Sequence, residues 1–167
     1  MKYFEDIRVG DTIEIGRHTF TADDIKGFAR RFDPQLFHVE EEAGARSHFG
    51  ALCASGWHTA AVWMRLMIDH RRRESEAARA RGEPVAGMGP ALGVRALKWL
   101  KPVYVGDTVV YRTEVLETRI SESRPGRGLM TVRSTGVNQS GDLVISFIST
   151  TFVERRPRSP SPPLSFC

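Results

Sequence analysis

The chain has 167 residues, 41% of them hydrophobic and 26% charged, with a formal charge of +4, which fits one domain with a substantial core. No stretch reaches eighteen uncharged apolar residues, and the acids of MKYFEDIRVGDTIE leave no room for a signal-type apolar block, so a cytoplasmic protein without a membrane span is expected. The arginines that carry the charge are not interleaved with aromatic residues, so a nucleic-acid stacking surface is not expected.

In chain order, Val9-Gly10-Asp11 predicts a turn and Thr12 to Ile15 a short strand. Thr21, with Asp24 three residues on, reads as a helix start, and Ile25, Phe28, Ala29 and Phe32 recur along one face. Pro34 biases Asp33 away from helical geometry, so FDPQLFHVEEEAG begins as a non-helical connection and leads into a second polar turn or helix. Gly56 to about Ala80 predicts a long helix, apolar in its first half and charged in DHRRRESEAARAR, ended by Gly82-Glu83-Pro84.

Strands are expected over Val94 to Leu100, Thr108 to Glu117, Leu129 to Asn138 and Leu143 to Val153. The links among the last three are too short for crossover helices, so they pair antiparallel. The pattern implies an α+β fold in which a curved antiparallel sheet wraps an apolar helix, with sheet edges that a partner can cover. The expected organisation is one domain over residues 1–155 and a disordered Pro/Ser-rich tail over 156–167.

Several chemistries lack their residues. Cys53 and Cys167 do not form a disulfide framework and are expected to be free. His38, His48 and Glu40 to Glu42 include ligand types, but there is no HExxH arrangement or cysteine set, so no metal is expected. Gly87-Met88-Gly89-Pro90 lacks the lysine and hydroxyl residue of a phosphate loop, and Ala54-Ser55-Gly56 is not a nucleophile elbow. The arginines of His70-Arg71-Arg72-Arg73 suit either a solvated face or a cofactor phosphate.

Proton transfer remains. Asp33 and His38 can converge on one water, the carboxylate taking its proton while the imidazole orients it; alone, Asp33 can equally cap a turn and His38 can pack in the core. The helix start at Gly56 offers unpartnered N–H groups, and glycine permits close approach of a ligand, so the N–H of Gly56 or Trp57 suits a developing enolate oxygen.

FDPQLFHVE, HFGALCASGWHT and LKPVYVGDTV together resemble the MaoC-like dehydratase family of hotdog proteins, which includes (R)-specific enoyl-CoA hydratases; the resemblance covers Phe4 to Val153. It implies a hotdog fold, a homodimer that sometimes assembles further, and a place in fatty acid metabolism. It also implies a CoA thioester as substrate, with no separate cofactor, bound in a tunnel near the dimer interface. On this resemblance Asp33 and His38 are the hydratase dyad, Gly56 the oxyanion donor, and Ser55 and Trp57 its neighbours at the substrate. Gln35 stands where the family usually has asparagine, Leu36 where proline is common, and Ser55 where histidine is frequent. The implied reaction is reversible hydration of a trans-2-enoyl-CoA to a 3-hydroxyacyl-CoA; an acyl-CoA thioesterase and a non-catalytic acyl-binding subunit are the alternatives.

Overall fold

The computed structural model describes residues 2–157. After a single 3-10 turn at Phe4–Asp6, the elements run β1 (Thr12–Thr19), α1 (Ala22–Phe32), α2 (Leu36–Val39), α3 (Glu41–Arg46) and α4 (Gly56–Ala80). Four strands complete the chain: β2 (Met88–Trp99), β3 (Thr108–Ile120), β4 (Arg127–Val137) and β5 (Leu143–Glu154). They form one antiparallel sheet in the order β1-β3-β4-β5-β2.

The sheet curls around α4 in the hotdog arrangement. Alternation on β3 buries Val109, Tyr111, Thr113 and Val115 on one face, and β5 adds Ile145 and Phe147. Trp63 and Met67 of α4, one helical turn apart, complete that core, with Trp63 set edge-on against Phe147 at 4.7 Å. The buried Tyr111 hydroxyl donates to the Thr59 carbonyl at 3.0 Å, fastening sheet to helix. At its front end α1 carries a reciprocal cap: the Asp24 N–H donates to Thr21 Oγ1 at 3.1 Å and the Thr21 N–H to Asp24 Oδ2 at 3.4 Å.

Besides small shifts such as β3 running on to Ile120 and β4 starting at Arg127, three features differ from the sequence reading. Strand β1 runs on to Thr19 because its register slips between Glu14 and Gly16, and a bulge continues a strand that alternation alone would end. Strand β2 begins at Met88, six residues before Val94. Gly89, Pro90 and Gly93 obscure its alternation, and a sheet edge is where proline is tolerated. His38 lies on a short helical turn, α2, rather than on a non-helical connection: Pro34 ends α1, and Gln35 then caps a fresh turn. Of the Pro/Ser-rich tail, residues 158–167 lie outside the described residues. Arg155 and Arg156, just before them, reach back to Glu5 and Asp6.

Candidate active site

Asp33 is the residue at which α1 stops. Its N–H still donates to the Ala29 carbonyl at 2.8 Å, but its backbone leaves the helix at φ −153°. The chain then turns through Pro34, and the single turn of α2 brings His38 back toward the carboxylate, so Asp33 Oδ2 and His38 Nε2 stand 3.6 Å apart. His38 is buried and its other nitrogen, Nδ1, lies 2.7 Å from the Cys53 carbonyl oxygen. A carbonyl only accepts, so Nδ1 carries a proton, and Nε2 is the nitrogen that faces Asp33. The gap is too long for a direct hydrogen bond.

The second wall is the start of α4. The segment before it is tied to the loop after β2: the Ala54 N–H donates to the Val103 carbonyl at 2.8 Å, and Cys53 bridges to Tyr104. Ser55 is the N-cap, its Oγ accepting from the Trp57 N–H at 3.2 Å. That bond occupies Trp57, while the Gly56 N–H has no partner among the described residues. Of the two oxyanion donors read from the sequence, Gly56 is therefore the free one.

Gly56 is also sterically required. A Cβ there would meet the Trp99 indole at 2.5 Å, and the Trp99 Nε1–H donates to the Gly56 carbonyl at 2.8 Å. Trp57 sets its ring against Trp99 at a centroid separation of 5.1 Å. These two rings, with Asp33, His38 and Ser55, line a cavity of ≈ 490 Å³.

Asp33 keeps its charge by local hydrogen bonding. Burial pushes its carboxyl up, but the Ser55 hydroxyl, the Gln35 amide and the nearby His38 together hold it below its ordinary value of 3.8. Gln35 Nε2 donates to Asp33 Oδ1 at 2.8 Å. By contrast, burial pushes the Cys53 thiol up to about 11, which removes it as a nucleophile near neutral pH. His58 faces the other side of the helix start, stacked on Phe28 at 4.6 Å, and burial pushes it down to about 4. Trp63 lies in the core, away from this cavity.

The fold thus gathers Asp33, His38, Ser55, Gly56 and Trp57 around one space. Two contributors, Trp99 and the Cys53 carbonyl, were not singled out in the sequence, whereas Gln35 was noted there as standing in place of the family's asparagine. Nothing local marks Trp99 or the Cys53 carbonyl, because both arrive by tertiary contact. Gln35 carried a signal as the polar residue two positions after the acid, the spacing at which a side chain can reach back. Among the described residues no three His, Cys, Asp or Glu side chains converge as a metal set would, and no helix is long and apolar enough to cross a membrane.

The family model described as "MaoC like domain" matches residues 7–138. A 3-hydroxybutyryl-CoA dehydratase of Methylorubrum extorquens is 32% identical over 126 residues, covering 75% of this chain and 70% of that protein. A mesaconyl-CoA hydratase of Cereibacter sphaeroides is 28% identical over 155 residues; the match takes in 93% of this chain but only 42% of that longer protein. Among solved structures, a MaoC-like dehydratase from Rhodospirillum rubrum superposes with a TM-score of 0.79 at 39% identity, covering 95% of this chain and all of the other.

Proposed function

We propose that this chain, which belongs to the MaoC-like domain family, hydrates trans-2-enoyl-CoA thioesters reversibly to 3-hydroxyacyl-CoA. The observation that carries this reading is the 3.6 Å approach of Asp33 to His38 in a cavity that also receives the unpartnered Gly56 N–H. The hydratase and dehydratase named among its relatives support it at the level of reaction class.

In this mechanism the thioester carbonyl accepts from the Gly56 N–H, which draws electrons from the double bond and leaves the β-carbon open to attack. Water binds on the cavity side of the pair, within reach of both Asp33 Oδ2 and His38 Nε2. Asp33 takes one of its protons while His38 holds its orientation. The C–O bond forms at the β-carbon, negative charge collects on the thioester oxygen, and the proton held by the dyad passes to the α-carbon. The sum is one water added across one double bond.

The working unit in this reading is a homodimer paired through β2. That strand is bonded to β5 on one side only, and Leu92, Val94 and Trp99 on it are 57%, 57% and 45% exposed. An apolar edge of this kind invites antiparallel pairing with a second copy.

The test follows crotonyl-CoA and longer trans-enoyl-CoAs by enoyl absorbance, free thiol and product mass. Expected is a gain of one water without thiol release, with kcat/KM falling by about 10²–10⁴-fold in both Asp33→Asn and His38→Ala. Thiol release without the water adduct sinks the hydratase reading in favour of thioester hydrolysis.

A further inference from the structure

All four internal methionines of the chain line one cavity. Met64 and Met67 come from α4, Met88 from the start of β2 and Met130 from β4, around a space of ≈ 470 Å³ beneath the middle of α4. It shares no lining residue with the Asp33/His38 cavity. Methionine is unbranched, flexible and polarizable, so a lining of this kind re-packs around aliphatic ligands of varying shape.

Arg71 lines the same space. It is half-buried and makes no hydrogen bond or ion pair among the described residues, whereas Arg65 and Arg72 on the same helix both engage Asp69, at 2.7 and 3.4 Å. Burial also pushes the Arg71 guanidinium down from its ordinary range, with no acid acting against the shift. Of the carboxylates on the lining, Asp11 is taken by Lys2 at 3.2 Å and Glu74 is exposed. A partly desolvated guanidinium facing an apolar space is costly unless an anion joins it, and a carboxylate matches its fork.

We propose that this cavity binds an aliphatic chain ending in a carboxylate, the methionines enclosing the chain and Arg71 holding the carboxylate. Two sources present that chemistry. One is a free aliphatic acid. The other is the far end of a dicarboxylic acyl thioester seated at the partner subunit's helix start. Met88 opens β2 and Trp99 closes it, so two-fold antiparallel pairing of two β2 edges sets the beginning of one strand against the end of the other. Only the second source rests on the hydratase and dimer reading.

Protein carrying [methyl-¹³C]methionine is titrated with decanoate and with decanamide, because the four internal methyl reporters line this cavity and none of them lines the Asp33/His38 cavity. Decanoate is expected to shift the internal methionine methyls about tenfold or more tightly than decanamide, the scale of one charge-assisted pair. Arg71→Met erases that preference and Arg71→Lys restores part of it. In parallel, kcat/KM is compared for a trans-2-enoyl-CoA ending in a carboxylate and its methyl-ended counterpart of equal length. A carboxylate preference that Arg71→Met abolishes assigns the thioester; equal turnover, with decanoate still shifting the methyls, assigns the free acid. Methyls that answer decanamide as well as decanoate overturn the proposal, as do methyls indifferent to decanoate when no carboxylate preference exists. Hydration of neither thioester removes the function above and leaves the methionine titration to decide this site by itself.

Discussion

Gln35 and Ser55 act on the same carboxylate. One is two residues along the chain and the other sits at the head of a helix more than twenty residues away, yet together with His38 they hold Asp33 below 3.8 against the upward push of burial. Because the folded value is depressed, the stability this group contributes is complete above pH 3.8 and is lost as pH falls through the lower folded value. Replacing Gln35 by alanine removes a donor and leaves the burial, so the Asp33 midpoint is expected to rise. Carboxyl ¹³C NMR of the Asp33 signal across pH 2 to 6 measures it, and an unchanged midpoint would refute Gln35's role. The neutral loss of one amide hydrogen bond predicts a stability change of only about 1 kcal/mol.

At the scale of elements, α4 begins where it does because the serine cap, the glycine and the Trp99 indole fit one another. Gly56→Ala drives a Cβ into that indole, so a destabilisation of about 1–3 kcal/mol is expected, with kcat/KM falling by about 10²-fold as the N–H is displaced. Trp99→Leu opens the space. In a double-mutant cycle by denaturant unfolding, Gly56→Ala is expected to cost markedly less in the Trp99→Leu background, and additive costs would refute the contact. Trp99 also marks the limit of legibility in the sequence. The capped start of α1, the long α4 and the hairpin strands were readable because each is written in local spacing, and Asp33, His38, Ser55, Gly56 and Trp57 fall on or beside those elements. The indole that makes Gly56 obligatory comes from 43 residues away, through a strand whose glycines and proline blur its period. The extra turn of α2 was hidden for another reason: four residues are too few to show helical periodicity, and Pro34 argues against it.

For the whole molecule, the open outer edge of β2 and the exposed stripe of Trp57, Met64 and Ile68 on α4 are apolar surfaces that self-association would bury. The wild-type chain is expected to sediment at twice its monomer mass, and Leu92→Lys combined with Ile68→Glu at the monomer mass with its far-UV spectrum retained. Monomeric wild type at micromolar concentration would remove the dimer from the reading. The placement of Trp99 gives this edge a second meaning. The indole that braces the helix start belongs to the strand with a free side, so anything that steadies that strand also steadies the Gly56 N–H, the proposed oxyanion donor. In the homodimer proposed above, dilution is then expected to act as an inhibitor of a kind: as protomers separate, turnover per chain falls before any chain unfolds, and the concentration at which it halves reports the association constant of the edge.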